Sequence, residues 1–89
     1  VGRYALKSNQ NGKENIALGD SVLCSNTSGC RNVAIGDAAM RSNVTGKCTV
    51  AIGYQAGMSI KGGNGNVAIG ASAMRLGSNN TGSENIDIT

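Results

Sequence analysis

The stretch NVAIG at residues 32–36 decides how this chain is read, because near copies return as NIALG at 15–19, TVAIG at 49–53 and NVAIG at 66–70. The glycine closing each copy recurs as Gly2, Gly19, Gly36, Gly53 and Gly70, always 17 residues apart. A second series, Gly12, Gly29, Gly46 and Gly63, keeps the same 17-residue step and then reaches Gly82 after 19. That longer step predicts a two-residue insertion near Leu76 and Gly77. One unit is NVAIGDAAMRSNVTGKC, residues 32–48, and about five such units fill the 89 residues. A fixed internal period marks a repeat architecture, so residues 1–89 are expected to form a single array.

The composition fits an array better than an ordinary globule. Phe, Trp, Pro and His are absent, aromatic residues make up 2%, and the 14 glycines hold fixed phases, which a low-complexity linker does not do. An 8.9 kDa chain built on Ala, Val, Ile, Leu and Met encloses a thin core and gains by stacking on itself or on copies of itself. No apolar run approaches the length of a membrane span, and no charged start followed by an apolar signal region is present. The chain opens on Val1 inside a repeat, which suggests a processed product or a piece of something longer.

Within one unit, Val33 and Ile35 flank Ala34, a period of two that suits a short strand with one buried face. The same column holds Ile16 and Leu18, Val50 and Ile52, Val67 and Ile69, and Ile86 and Ile88. A second apolar pair follows at Ala5, Val22, Ala39 and Ala73, and stretches such as SNVTG then turn the chain. The expectation is an all-β fold, a β-solenoid or β-roll with two short strands and two tight turns per coil. Adjacent coils should lie about 4.8 Å apart, with hydrogen bonds running along the stack. A helix is excluded because the glycines recur too often and the apolar runs are too short.

Stacking turns identical residues into columns. Asn15, Asn32, Asn66 and Asn85 share one phase, broken by Thr49, and Asn9, Asn26, Asn43 and Asn79 share another, broken by Ile60. Stacked Asn side chains bond to one another and to turn amides, so their regular recurrence points to structural ladders and away from ligand binding.

The skeleton of this unit, TG followed by NVAIG, AM and SN, resembles the repeats of phage and bacterial tail-fibre-type proteins that often end in an endosialidase-type intramolecular chaperone. More distantly it is similar to the NSVAIG coils in the heads of trimeric autotransporter adhesins. The resemblance covers essentially the whole chain. It implies a β-solenoid, three chains associated side by side, and a stiff extracellular, cell-surface or virion-associated shaft or adhesive head. It carries over neither a chaperone domain nor a catalytic role.

Ala17, Ala34, Ala51 and Ala68 lie on the strand face opposite the Val/Ile column, and a column of small residues lets another backbone approach closely. A homotrimer packed through these alanines is the expectation. The alternative is that this face covers a narrow core within one chain.

The three cysteines depart from the resembling families. With no His and no closely spaced Cys pair, Cys24, Cys30 and Cys48 make a poor zinc set. One coil of stacking and one residue of offset place the Cα atoms of Cys30 and Cys48 roughly 6 Å apart, within disulfide range. An intrachain Cys30–Cys48 disulfide would leave Cys24 buried or bonded to another chain and would imply an oxidising compartment.

Charge adds less. The net charge is +3 and the basic residues are dispersed, though Lys7, Arg41 and Arg75 share a phase that Cys24 and Met58 interrupt. Nucleic-acid binding calls for denser charge and more stacking aromatics than Tyr4 and Tyr54 supply. An acidic glycan or a cell-surface protein remains a candidate partner. GGNGN at 62–66 lacks the lysine and hydroxyl ending of a phosphate loop. Asp20 and Asp37 share a phase that Tyr54 and Ala71 do not continue, so no carboxylate pair is set for acid–base work. No catalytic, cofactor-binding or metal-binding residues are assigned, and the chain is not expected to be an enzyme.

Two functions therefore stand. The first is a structural unit of a stiff fibre, assembled side by side and head to tail. The second is a recognition module whose exposed turns bind a surface glycan or protein. The monotony of the turns favours the first.

Overall fold

Each NVAIG-type copy forms a three-residue strand: β1 (Ile16–Leu18), β2 (Val33–Ile35), β3 (Val50–Ile52), β4 (Val67–Ile69) and β5 (Ile86–Ile88). The structure is a computed structural model that describes residues 1–58, 60–73 and 86–88. The strands form one parallel sheet in chain order, and no helix occurs among the described residues. Ile16 pairs with Val33, Val33 with Val50 and Val50 with Val67, so the first three steps keep the 17-residue repeat. The last, Val67 with Ile86, spans 19. The insertion expected at Leu76 and Gly77 lies outside the described residues, as do Asn79 and Asn85.

Hydrogen bonds between successive repeats continue beyond the strands. The Leu23 N–H donates to the Ala39 carbonyl at 3.2 Å, Met40 to Ala56 at 2.9 Å and Gly57 to Ala73 at 2.7 Å. Before them, Ala38 donates to Asp20 at 2.8 Å and Gln55 to Asp37 at 2.8 Å. Backbone groups in a short, turn-rich repeat thus find partners in the neighbouring repeat.

Among the described residues, the second strand expected in each repeat does not form. In its place are consecutive turns closed by bonds such as Ala39 N–H to Gly36 O at 3.1 Å and Asn43 N–H to Met40 O at 3.2 Å. Alternate residues are left-handed, with φ of 60° at Ser21 and 49° at Leu23, and of 61° at Ala38 and 50° at Met40. A strand needs extended dihedrals at every position. The left-handed columns, 4-21-38-55-72 and 6-23-40-57, hold no β-branched residue, in keeping with the steric cost of that conformation.

The two glycine series answer two close approaches. At Gly36, with φ of 122°, a Cβ would lie 2.5 Å from the Gly53 carbonyl oxygen of the next repeat. At Gly29 a Cβ would collide with both Asn26 Oδ1 and the Gly46 carbonyl oxygen. The first position needs glycine for conformation and space, the second for space alone.

The sidedness of the strands is the reverse of the oligomer-interface expectation. Ala34, Ala51 and Ala68 are fully buried and Ala17 nearly so, packed with Val22, Leu23, Ala39, Met40, Ala56 and Ala73 in the chain's own core. They face the interior, so no second chain reaches them. The interior is narrow: a Cβ on Gly57 would touch Ala51 Cβ and Met40 Cγ at 3.4 Å each. With Leu and Met side chains entering from the turn side, only a methyl group fits on the strand side, and the branched residues face out.

Candidate functional site

Three features of the surface and the corners carry chemical potential. The first is the outer face of the sheet. Ile16 is 56% exposed, Leu18 47%, Ile52 37%, Ile86 71% and Ile88 67%, while Val33, Ile35, Val50, Val67 and Ile69 are half-buried. Together they form two parallel aliphatic columns across all five strands. A contiguous exposed apolar surface of this kind marks a site of association.

The second feature is the pair of Asn ladders at the corners. In one, Asn26 Nδ2 donates to Asn9 Oδ1 at 2.9 Å and Asn43 Nδ2 to Asn26 Oδ1 at 3.1 Å. Each also caps its own turn, donating to the carbonyls of Gly12, Gly29 and Gly46. In the other, Asn15 Oδ1 accepts from the Asn32 backbone N–H at 3.1 Å and from Asn32 Nδ2 at 3.2 Å. Asn32 Oδ1 then accepts from the Thr49 backbone N–H at 3.1 Å. Asn26, Asn32, Asn43 and Asn66 are fully buried, and these contacts make the two columns structural corners.

The third feature is a pair of cavities that separate the cysteines. Cys30 and Cys48 line one of about 240 Å³ together with Lys13, Glu14, Arg31 and Lys47. Cys24 lines another, of about 290 Å³, with Tyr4, Lys7, Ser8, Ser21 and Arg41. All three thiols are free. The expected Cys30–Cys48 disulfide is not formed; the two residues are joined through the backbone, the Cys48 N–H donating to the Cys30 carbonyl at 3.0 Å. The exposed Arg31 guanidinium is bonded to Glu14 at 3.0 Å. Its pKa is raised above the ordinary arginine value by that hydrogen bond and charge, with smaller contributions from Cys48 and Cys30. The contribution of a raised pKa is present below the unfolded value and lost only above the folded one. Arg31 therefore confers no pH dependence near neutrality.

The cations around Cys30 and Cys48 had a signal in the sequence: Lys13, Cys30 and Lys47 are 17 apart, as are Glu14, Arg31 and Cys48. Among the described residues no group of three or more His, Cys, Asp or Glu is placed to hold a metal ion, and no helix is long and apolar enough to cross a membrane. In the second cavity Lys7 Nζ lies 5.0 Å from the centre of the Tyr4 ring. Lys7 and Arg41 both line it, while Arg75 of the same phase lies outside the described residues.

No family model matches the chain, and neither the curated proteins nor the solved structures contain a match. What stands on its own geometry is an all-β chain with a parallel sheet in sequence order, aliphatic outside and alanine-lined within.

Proposed function

We propose that the chain is a structural unit of an extracellular or virion-associated fibre. It is a β-solenoid of about five 17-residue coils that stands side by side with two further copies and whose work is length and stiffness. The observation that carries this reading is the pair of exposed aliphatic columns. A partner seated on them must repeat at the spacing of the strands, about 4.8 Å, and a second copy of the same chain has that pitch built in. The resemblance of the repeats to tail-fibre and adhesin coils supports three copies and a location outside the cell. The contact runs through the Val, Ile and Leu columns and not through the alanines. End-to-end stacking of further repeats on the array extends the shaft.

Analytical ultracentrifugation tests the association. The native chain should sediment as a trimer, and Ile35→Glu with Ile52→Glu should give a folded monomer of unchanged circular dichroism. An oligomer that survives both substitutions would overturn the reading. Electron microscopy should show rods with an axial repeat near 4.8 Å.

The cavity at Tyr4, Lys7 and Arg41 favours a second reading, a recognition module for an anionic glycan. The two cations would take the carboxylate. Binding of an acidic glycan that is lost in Lys7→Ala with Arg41→Ala would favour it over a purely structural role.

A further inference from the structure

The corner where Cys30 and Cys48 meet combines two thiols with three cations in a cavity large enough for a small molecule. The Cys48 N–H bonded to the Cys30 carbonyl at 3.0 Å belongs to a ladder spaced by about 4.8 Å, and that bond holds the two Cα atoms within roughly 6 Å, inside the range of an unstrained disulfide. Both side chains line the same cavity, Cys30 Sγ lying 3.3 Å from the Ser28 carbonyl oxygen, and Cys48 is exposed and Cys30 half-buried. Lys13 and Lys47 flank Cys30 in its column, one repeat to either side, and Arg31 precedes Cys48 by one repeat. Glu14 opposes only one of these cations, Arg31.

We propose that this cavity is a thiol–disulfide exchange site for small anionic disulfides, which close a Cys30–Cys48 bond between neighbouring repeats. The Cys48 thiol gives its proton to solvent, and its sulfur attacks one sulfur of the incoming disulfide. The other half leaves as a thiolate and takes up a proton. The Cys30 thiolate then attacks Cys48 Sγ of the mixed disulfide and expels the second half as a thiol. The protein loses two electrons and two protons, and one small disulfide becomes two thiols, so no other oxidant is needed. The cations raise the local concentration of an anionic reagent. Cys24, in the other cavity, stands outside the pair.

The test uses the Cys24→Ser chain, treated in parallel with oxidised glutathione, an anionic disulfide, and with cystamine, a cationic one. Oxidised glutathione should consume both thiols, leave no lasting adduct, and join the peptides containing residues 30 and 48 in a non-reducing map. It should react about tenfold faster than cystamine. Lys13→Ala with Lys47→Ala should bring the two rates together. Arg3→Ala with Lys61→Ala, which removes the same charge elsewhere, should not. Two stable glutathione adducts without cross-linking would overturn the proposal, as would equal loss of preference in both double variants. The native chain supplies a check independent of any substitution: after oxidation neither Cys30 nor Cys48 should be alkylated or carry a glutathione adduct, whatever the state of Cys24, and labelling of Cys30 or Cys48 would count against the pairing.

Discussion

The repeat carrying Met40 and Asn43 and the one carrying Gly57 and Ile60 fill the same two columns in opposite ways. In the first, as in the repeat before it, a large apolar side chain comes from the left-handed turn position and an Asn from the corner: Leu23 with Asn26, then Met40 with Asn43, all fully buried. In the second the turn position holds Gly57, with φ of 63°, and the corner holds buried Ile60. A Cβ on Gly57 would lie 3.1 Å from Ile60 Cδ1, so the isoleucine reaches into space that leucine or methionine occupies in the preceding repeats. The volume is kept and the hydrogen bond is not. Asn43 Oδ1, which would accept from an Asn at position 60, is buried without a partner. The difference teaches that the core tolerates exchange between columns, while the ladder stops where its side-chain donor is lost.

The largest effect should come from breaking the regular repeat. Met40→Gly removes the side chain without an isoleucine to replace it, and opening such a cavity costs about 3–5 kcal/mol. Relief of the left-handed conformation returns about 1 kcal/mol. In a domain of this size the melting temperature should fall by on the order of 10 °C, as calorimetry would show. A change of only a degree or two would mean that the Met40 site is not packed as described.

Next in size is the coupling between Gly57 and Ile60. Gly57→Met alone crowds Ile60 Cδ1, with an expected cost of about 1–3 kcal/mol. Joined to Ile60→Asn, the same change recreates the pattern of Met40 and Asn43 and should bring stability back to within about 1 kcal/mol of the native chain. A double-mutant cycle by urea denaturation should therefore give a coupling near 2 kcal/mol. Additive losses would break the exchange argument.

Ile60 taken alone separates volume from hydrogen bonding. Ile60→Ala leaves a void and keeps Asn43 Oδ1 unpaired. Ile60→Asn also loses apolar volume but supplies a donor to that oxygen, and an unpaired buried group costs about 1–3 kcal/mol. The asparagine variant should be the more stable of the two by about 1 kcal/mol, although it places the more polar side chain in the core. The reverse order would show that the unpaired oxygen has no energetic weight.

Much of this is legible in the sequence. The NVAIG copies marked the strands, the glycine phases marked the close approaches, and the Asn columns marked the corners, because a parallel ladder puts residues 17 apart in contact. The direction of the faces was not legible. An alternation of Val, Ala and Ile shows that two faces exist, and the choice between them depends on the width of the interior, which the turn-side Leu23 and Met40 set. The second strand is not legible for a related reason: Val22–Leu23 and Ala39–Met40 look like strand pairs in composition, and only the left-handed alternation of these segments makes them turns. The cavity around Cys30 and Cys48 is legible by adding 17 to Lys13 and to Glu14, which brings Lys13, Cys30 and Lys47 into one column and Glu14, Arg31 and Cys48 into the next.

The smallest effect is expected where the other ladder is interrupted. Thr49 stands in the Asn15 and Asn32 column as Ile60 stands in the Asn26 and Asn43 column, yet Asn32 Oδ1 keeps its partner because the donor is the Thr49 backbone N–H at 3.1 Å. The Thr49 hydroxyl bonds to the Lys47 carbonyl at 3.3 Å, so the side chain is itself satisfied. In Thr49→Asn the new amide could donate to the Gly63 carbonyl, as Asn32 Nδ2 does to Gly46 at 2.8 Å, at the loss of the hydroxyl bond. One bond of about 1 kcal/mol replaces another, and the melting temperature should move by no more than a few degrees. Set beside the Ile60 variants, that near-silence isolates the cause: a ladder whose bond is made by the backbone survives a change of side chain, and one whose bond is made by the side chain does not. A large gain from Thr49→Asn would remove the distinction and place the strength of both ladders in their side-chain amides.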